Sequence, residues 1–126
     1  MNLRFLMVLT SILAMAAFAR AQNAGNEQGQ IAFNNACRTC HSIKGGDHRL
    51  GPSLHGIVGK KAGTATGYNN YSSAMKDAGL TWDERTLDRF IASPDDVVRG
   101  NNMKPYGGLS SVDERASIIA YLKAAD

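Results

Sequence analysis

This sequence has few cysteines, few prolines and a small net charge, and each of these features argues against a class of protein. Two cysteines cannot form the several disulfides that hold small secreted domains together. Three prolines, without any low-complexity tract, argue against a disordered chain. The net charge of +3 is small, and no block of lysine or arginine is long enough to follow a nucleic-acid backbone. A length of 126 residues suits about one domain.

Long hydrophobic runs are also absent. The longest, Phe5–Phe18, has 14 residues, fewer than the ~20 that a transmembrane helix needs. It follows a short basic start and precedes Ala19-Arg20-Ala21, which has the small-x-small pattern of a signal cleavage site. We therefore predict a cleaved secretory signal peptide over residues 1–21 and a single domain over residues 22–126, with an uncleaved anchor as the alternative. Cleavage removes two arginines and no acid, so the net charge falls from +3 to +1.

Periodicity predicts short helices and no strand in this domain. The first helix is expected from about Glu27 into the cysteines, with Asn26 as its N-cap. A short helix is expected over about 71–78, with Gly79 ending it in a left-handed conformation. Between these helices, Gly45–Asn70 has seven glycines and no sustained period. Such a long loop is usually functional, and its apolar residues could pack against a bound group.

Capping patterns predict the remaining helices. Thr81 and Glu84 have the spacing of a capping box, and the helix they begin should stop before Pro94. A further turn or two is expected over 93–100. The same capping spacing begins a last helix at Ser111 that runs to about 124, and its apolar stripe consists of Val112, Ile118, Ile119 and Leu122. A chain with short helices and so much loop needs a large bound group to complete its core.

The segment Cys37-Arg38-Thr39-Cys40-His41 is a C-x-x-C-H motif, the attachment pattern of haem c. In helical geometry the two cysteines face the same way and can reach both vinyl-derived carbons of one porphyrin. His41 can then offer its imidazole to the iron. Two alternatives remain open: a thioredoxin-like redox pair, which needs a βαβ context, and a zinc site with His48 and His55 as the second ligand pair.

The sixth iron ligand distinguishes an electron carrier from a haem with an open site. Of five methionines, only Met75 and Met103 lie outside the predicted signal peptide. Met75 falls in a predicted helix, whereas Met103 lies in the irregular loop 100–108, which could present a thioether to a metal. The sequence favours Met103. His48 and His55 remain alternatives, although each would have to pass around the porphyrin edge.

With these motifs the chain resembles the class I cytochromes c, the short soluble group that includes mitochondrial cytochrome c and its bacterial relatives. The resemblance runs from Gly29 to Ala124. Its strongest segments are 37–41, 51–56, Tyr71, Thr81-Trp82, Met103 and 118–123. It implies an all-α class I cytochrome c fold, with short helices and long loops around one covalently bound haem c. It also implies that the N- and C-terminal helices cross.

The resemblance implies roles for residues around the haem. The terminal helices would cross at Gly29, with Phe33 packed against Ile118 and Tyr121. The carbonyl of Pro52 would fix the axial ligand His41, and such bonds lock the tautomer of a metal-bound histidine. Tyr71 and Trp82 would bond the haem propionates.

Some positions depart from the mitochondrial pattern. Phe90 stands where a tyrosine lies beside the methionine sulfur, so a hydroxyl is missing there. Tyr106 is the expected counterpart of the aromatic residue that screens the haem face. The lysines around the mitochondrial haem edge align with Ala36, Asp95, Asp96 and Asn102. The lysines that remain near the expected edge are Lys44, Lys60, Lys61 and Lys104, so long-range steering should be weak.

These features together predict a soluble periplasmic one-electron carrier, not an enzyme, with His41 and Met103 as axial ligands. It would shuttle electrons from a cytochrome bc-type complex or another donor to a terminal oxidase or reductase. Docking at the haem edge would be transient, and the carrier would be monomeric, without a nucleic-acid partner or a stable membrane anchor. The alternative functions are a haem sensor or peroxidase-like protein with an open sixth site, and an electron-transfer subunit bound permanently to an enzyme.

Overall fold

The computed structural model describes residues 3–125, and the side chains of residue 15 and of residues 17–125. Part of the predicted signal peptide therefore lies outside the described residues. Over these described residues there are five helices: α1 (Leu3–Ala36), α2 (Ser73–Lys76), α3 (Glu84–Ala92), α4 (Pro94–Val97) and α5 (Val112–Ala124). The β-pairing over residues 3–125 is limited to one isolated antiparallel bridge, between Lys61 and Thr81. The predicted all-α class is confirmed.

Helix α1 differs from the predicted first helix, because it continues without a break through Asn26 and Glu27. The prediction that Asn26 begins the helix was therefore wrong. Alanines between 14 and 24 favour helix strongly, and no proline interrupts them. Residues 21–28 are all exposed, and Gly29 is the first buried residue after them. Among the described helices, none is both long and apolar enough to cross a membrane.

The last two turns of α1 pack against α5. Gly29 is buried at the crossing, where an added Cβ would lie 2.6 Å from the Cβ of Tyr121 and would overlap the carbonyl oxygen of Ser117. One turn later, the ring of Phe33 packs against that of Tyr121 with centroids 5.6 Å apart. Ile118 and Leu122 are fully buried beneath this contact. The terminal helices therefore cross at a glycine.

Helices α2 and α3 both begin at side-chain caps, and the cap of α3 differs from the predicted one. Ser72 Oγ accepts a hydrogen bond from the Met75 N–H (3.1 Å), and α2 ends at Lys76, earlier than predicted. Gly79 does have a positive φ of 65°, but it lies beyond the helix end. For α3 the N-cap is Asp83, whose Oδ1 accepts from the Thr86 N–H (2.7 Å). The predicted capping box was wrong because the backbone of Thr81 is bridged to Lys61.

Helix α5 begins as predicted, at Ser111, whose Oγ accepts from the Glu114 N–H (3.3 Å). Of its apolar stripe, Ile118, Ile119 and Leu122 are buried, but Val112 is 65% exposed. Val112 is the first residue of the helix. The preceding segment α4 is a single turn, and Gly100 follows it with φ +89°.

Arg115 of α5 fixes the loop between α4 and α5. Its buried guanidinium donates from Nε to Asp88 Oδ1 of α3 (2.7 Å). Its Nη1 donates to the carbonyls of Leu109 and Ser110, both at 2.9 Å. One buried cation thus joins two helices and the end of the loop that carries Met103.

Candidate cofactor site

A large, mostly apolar cleft opens at the end of α1. It encloses about 1220 Å³ of space, part of it open to solvent. Its walls come from the turn after α1, the glycine-rich loop, helices α2 and α3, and the loop after α4. The lining residues predicted from the sequence are Cys37, Cys40, His41, Pro52, Tyr71, Trp82, Met103 and Tyr106. The fold therefore gathers every predicted cofactor residue around one space.

The two cysteines lie on a turn that continues from α1. The Cys37 N–H donates to the Phe33 carbonyl (2.8 Å), and the His41 N–H donates to the Cys37 carbonyl (2.9 Å). Both cysteines are free and half-buried. Burial, followed by the neighbouring Cys40, raises the pKa of the Cys37 thiol to about 11. A thioredoxin-like pair needs a βαβ context, and the β-pairing over residues 3–125 is one isolated bridge, so that alternative loses its support.

His41 is buried and its ring is held on one side. Its Nδ1 lies 2.7 Å from the Pro52 carbonyl oxygen, so Nδ1 carries the proton and Nε2 remains available as a ligand. Burial lowers the pKa of His41, although the Pro52 hydrogen bond opposes this shift. The neutral imidazole is the form that binds metals. At Gly51, an added Cβ would lie only 2.7 Å from His41 Nδ1, so the ring needs a glycine beside it.

Both candidate methionines line the cleft. Met75 is buried in the hydrophobic core on α2, whereas Met103 is half-buried in the loop after α4. The Met103 N–H donates to the side chain of Asn101 (2.9 Å). Met75 is packed as a core residue, and Met103 belongs to an irregular segment, as the sequence predicts. The lining alone does not choose between the two sulfurs.

Neither alternative histidine lines the cleft. His48 Nδ1 accepts from the Ser53 N–H (3.0 Å), and its Nε2 lies 2.8 Å from the Thr66 carbonyl oxygen, so both ring nitrogens are already bonded. His55 is exposed. Over the described part of the chain, no three or more histidine, cysteine, aspartate or glutamate side chains form a cluster that could hold a metal ion. The zinc alternative and the bis-histidine alternative therefore both lose their structural basis.

Tyr71 and Trp82 bring polar hydrogens to the mostly apolar cleft. The Tyr71 hydroxyl accepts from the Ala65 N–H (3.3 Å) and keeps its own proton to donate. Burial raises its pKa, which preserves that proton. The Trp82 ring packs against Phe90 with centroids 4.9 Å apart, and its Nε1 donates no hydrogen bond to any described residue. An indole N–H and a phenol O–H at an apolar cleft fit a flat, apolar group that carries carboxylates.

These residues fit a covalently bound haem c, and the comparisons with known proteins agree. The cytochrome c family pattern matches residues 26–126. The chain belongs to the cytochrome c family. It is similar to the cytochrome c of Chlamydomonas reinhardtii, with 42% identity over 112 residues that cover 88% of this chain and 98% of the relative. It is also similar to cytochrome c2 iso-2 of Magnetospirillum fulvum, with 44% identity over 88 residues, 70% of this chain and 90% of the relative.

A solved cytochrome c structure has the same fold. Cytochrome cH from Methylobacterium extorquens matches with a TM-score of 0.71 and 40% identity, over 78% of this chain and 96% of that chain. The predicted class I cytochrome c fold is confirmed, as is the covalent haem c cofactor. The chain is a cytochrome c electron carrier, which is not an enzyme.

The structure adds contacts of cytochrome c residues that the sequence does not reveal. The Tyr106 hydroxyl donates to the Ile91 carbonyl oxygen at the end of α3 (2.6 Å), and burial raises its pKa to about 12. Tyr106 therefore links the Met103 loop to α3 while it lines the cleft. Asn101 was not singled out from the sequence either. An asparagine in an irregular loop often bonds nearby backbone groups, and that tendency was the available signal.

The basic residues at the mouth of the cleft are few. Of the four lysines expected near the edge, Lys104 is the one that lines the cleft. Its Nζ pairs with both carboxylate oxygens of Asp95 (2.6 and 2.7 Å). Lys60 donates instead to the His55 carbonyl (3.0 Å). The cleft mouth therefore has little free positive charge.

Proposed function

We propose that this cytochrome c is a periplasmic one-electron carrier whose haem is attached through Cys37 and Cys40 and whose iron is held by His41 and Met103. The observation that carries this proposal is that the C-x-x-C-H turn lines the same cleft as Met103, which lies half-buried in an irregular loop, whereas Met75 packs in the core. When bound, the haem supplies the one-electron couple between ferric and ferrous iron. Both protein ligands stay in place in the two states, so electron transfer needs little rearrangement.

The surrounding residues orient the two ligands and the haem edge. The Pro52 carbonyl holds His41 in the tautomer that leaves Nε2 for the iron. Tyr71 and Trp82 supply O–H and N–H donors for the propionates. The mostly apolar walls of the cleft would keep water from much of the haem, and this favours the less charged ferrous state.

The proposed ligand set also suits a direction of electron flow. A thioether ligand raises the reduction potential above that of a bis-histidine haem. Such a carrier would accept electrons from a cytochrome bc-type complex or another donor and deliver them to a terminal oxidase or reductase. The contact with each partner would be small and transient, formed at the cleft mouth by a monomer.

Electron delivery to an oxidase should depend only weakly on ionic strength. The net charge without residues 1–21 is +1, and the lysine at the cleft mouth is already paired with Asp95. We expect the second-order rate of oxidation by a terminal oxidase to change by less than about threefold between low and physiological salt, because steering effects scale with unpaired charge. Stopped-flow oxidation of the ferrous protein over a salt series measures this. A steep fall with salt would refute weak steering, and no electron transfer to either a terminal oxidase or a reductase would refute the carrier function.

Residues 1–21 are proposed to be a signal peptide that is removed during export to the periplasm. The cleavage pattern at 19–21 supports this, as does the exposure of residues 21–28, which leaves the site outside the domain core. We expect the intact mass of the protein from a periplasmic extract to equal residues 22–126 plus one haem. A mass that retains residues 1–21 would favour the uncleaved anchor instead.

A further inference from the structure

The side chain of Asn101 is buried two residues before Met103, and every polar atom of its amide is bonded. It is 4% exposed. Its Nδ2 donates to Asp95 Oδ1 (2.8 Å) and to the Val98 carbonyl (2.9 Å). Its Oδ1 accepts the Met103 N–H (2.9 Å). A buried amide with all its bonds made has a single favourable orientation.

Asp95 extends this network to the other side of Met103. It lies on α4, and its exposed carboxylate also accepts the Lys104 Nζ. The chain before Met103 is thus tied to Asp95 through Asn101, and the chain after it through Lys104. One carboxylate on a helix holds both flanks of the methionine.

The position of the Met103 thioether needs such support. Met103 lies in a segment without helix or strand, and an unbranched thioether is among the most flexible side chains. Phe90, which lies in the same cleft, has no hydroxyl that could bond the sulfur. The hydrogen bond that the Met103 N–H donates to Asn101 Oδ1 is therefore the side-chain constraint closest to the ligand.

We propose that Asn101, anchored by Asp95, is a positioning residue that keeps Met103 on the haem iron. This inference rests on the proposed His41/Met103 ligation. Asn101 acts through the backbone of Met103 and does not touch the iron. When its amide is released, the loop opens more often, and an exogenous ligand gains access to the sixth site.

The first test compares two aspartates of the same helix. Asp95→Ala removes the anchor, and Asp96→Ala is the matched control, because Asp96 is also exposed on α4 and has no side-chain hydrogen bond to a described residue. Both variants change the net charge equally. We expect imidazole to bind the ferric haem-loaded protein about tenfold faster in Asp95→Ala, because an unsatisfied buried amide weakens the loop. The rate in Asp96→Ala should stay within about twofold of wild type.

The second test exchanges the two partners. Asn101→Asp removes both Nδ2 donors and places a carboxylate against Asp95, so we expect a weaker far-red methionine–iron band and imidazole binding about a hundredfold faster. The double variant Asp95→Asn with Asn101→Asp restores a donor and an acceptor and has the net charge of wild type. It should recover part of the band and bind imidazole more slowly than Asn101→Asp does, although the Val98 carbonyl still lacks its donor and Lys104 its carboxylate partner. A role limited to global stability would move the unfolding midpoint but would not follow this pattern of loss and recovery.

Each outcome decides between the alternatives. Faster imidazole binding in Asp95→Ala but not in Asp96→Ala supports the inference, even if Asn101→Asp does not fold. Wild-type band intensity and imidazole rate in both Asp95→Ala and Asn101→Asp would overturn it, as would equal effects of Asp95→Ala and Asp96→Ala. A wild-type protein that lacks the far-red band would refute Met103 ligation itself, which is a separate failure visible before any variant is made.

Discussion

Met103→Ala should open the haem iron to external ligands. Removal of the thioether leaves His41 as the only axial protein ligand, so the ferric protein should lose its far-red methionine–iron band. Its affinity for cyanide should rise at least about a hundredfold, because the methionine no longer competes for the iron. This rise corresponds to ~2.7 kcal/mol of binding free energy. Cyanide titration followed by optical spectroscopy measures both changes. An intact band and unchanged cyanide affinity would exclude Met103 as the ligand.

Met75→Ala is the matched control for this experiment, because Met75 lines the same cleft. Met75 is only 9% exposed and packs in the core. Its truncation should therefore lower the free energy of unfolding by about 3 kcal/mol through the cavity left behind, while the far-red band persists. If Met75→Ala lost the band and Met103→Ala kept it, the ligand would have to be reassigned to Met75.

Gly29→Ala should destabilise the protein strongly, although it adds only one methyl group. The new Cβ would lie 2.6 Å from the Cβ of Tyr121 and would overlap the Ser117 carbonyl oxygen. The Ser117 oxygen belongs to the backbone of α5, and the Tyr121 Cβ is bonded directly to that backbone. Because neither atom can rotate away, α1 and α5 must separate. We expect the free energy of unfolding of the haem-loaded protein to fall by about 3 kcal/mol in a denaturant titration.

Gly25→Ala provides the control on the same helix. Nothing lies within 4 Å of a Cβ added at Gly25, so the substitution tests helix propensity alone. It should be neutral or stabilise by up to about 1 kcal/mol. Equal losses of stability in the two variants would contradict a close helix crossing at Gly29.

Local sequence patterns predicted the parts of the fold that depend on local interactions. Ser111 caps α5 as its spacing predicts, because that cap needs only a serine and the next three residues. Thr81 had an equally good spacing but does not cap α3. Its backbone pairs with Lys61, twenty residues earlier in the chain, and local spacing does not reveal such a contact. The start at Asn26 failed for the opposite reason, since nothing local stops the alanine-rich helix that precedes it.

The same distinction between local and tertiary interactions applies to the candidate site. The C-x-x-C-H motif could be recognised from the sequence because its residues are neighbours in the chain. The bond between Asn101 and Asp95 was not, because it requires the loop after α4 to turn back on that helix. Similarly, the need for glycine at position 51 arises from the placement of the His41 ring, ten residues earlier. The choice between Met75 and Met103 also depends on tertiary structure, since both reach the cleft.

The most direct test of His41/Met103 ligation is the optical spectrum of the purified wild-type protein in both redox states. We expect a c-type haem spectrum in the reduced state and a weak far-red band in the oxidised state, which reports the methionine–iron bond. A c-type spectrum without that band would contradict methionine ligation and favour a haem with another sixth ligand or an open site.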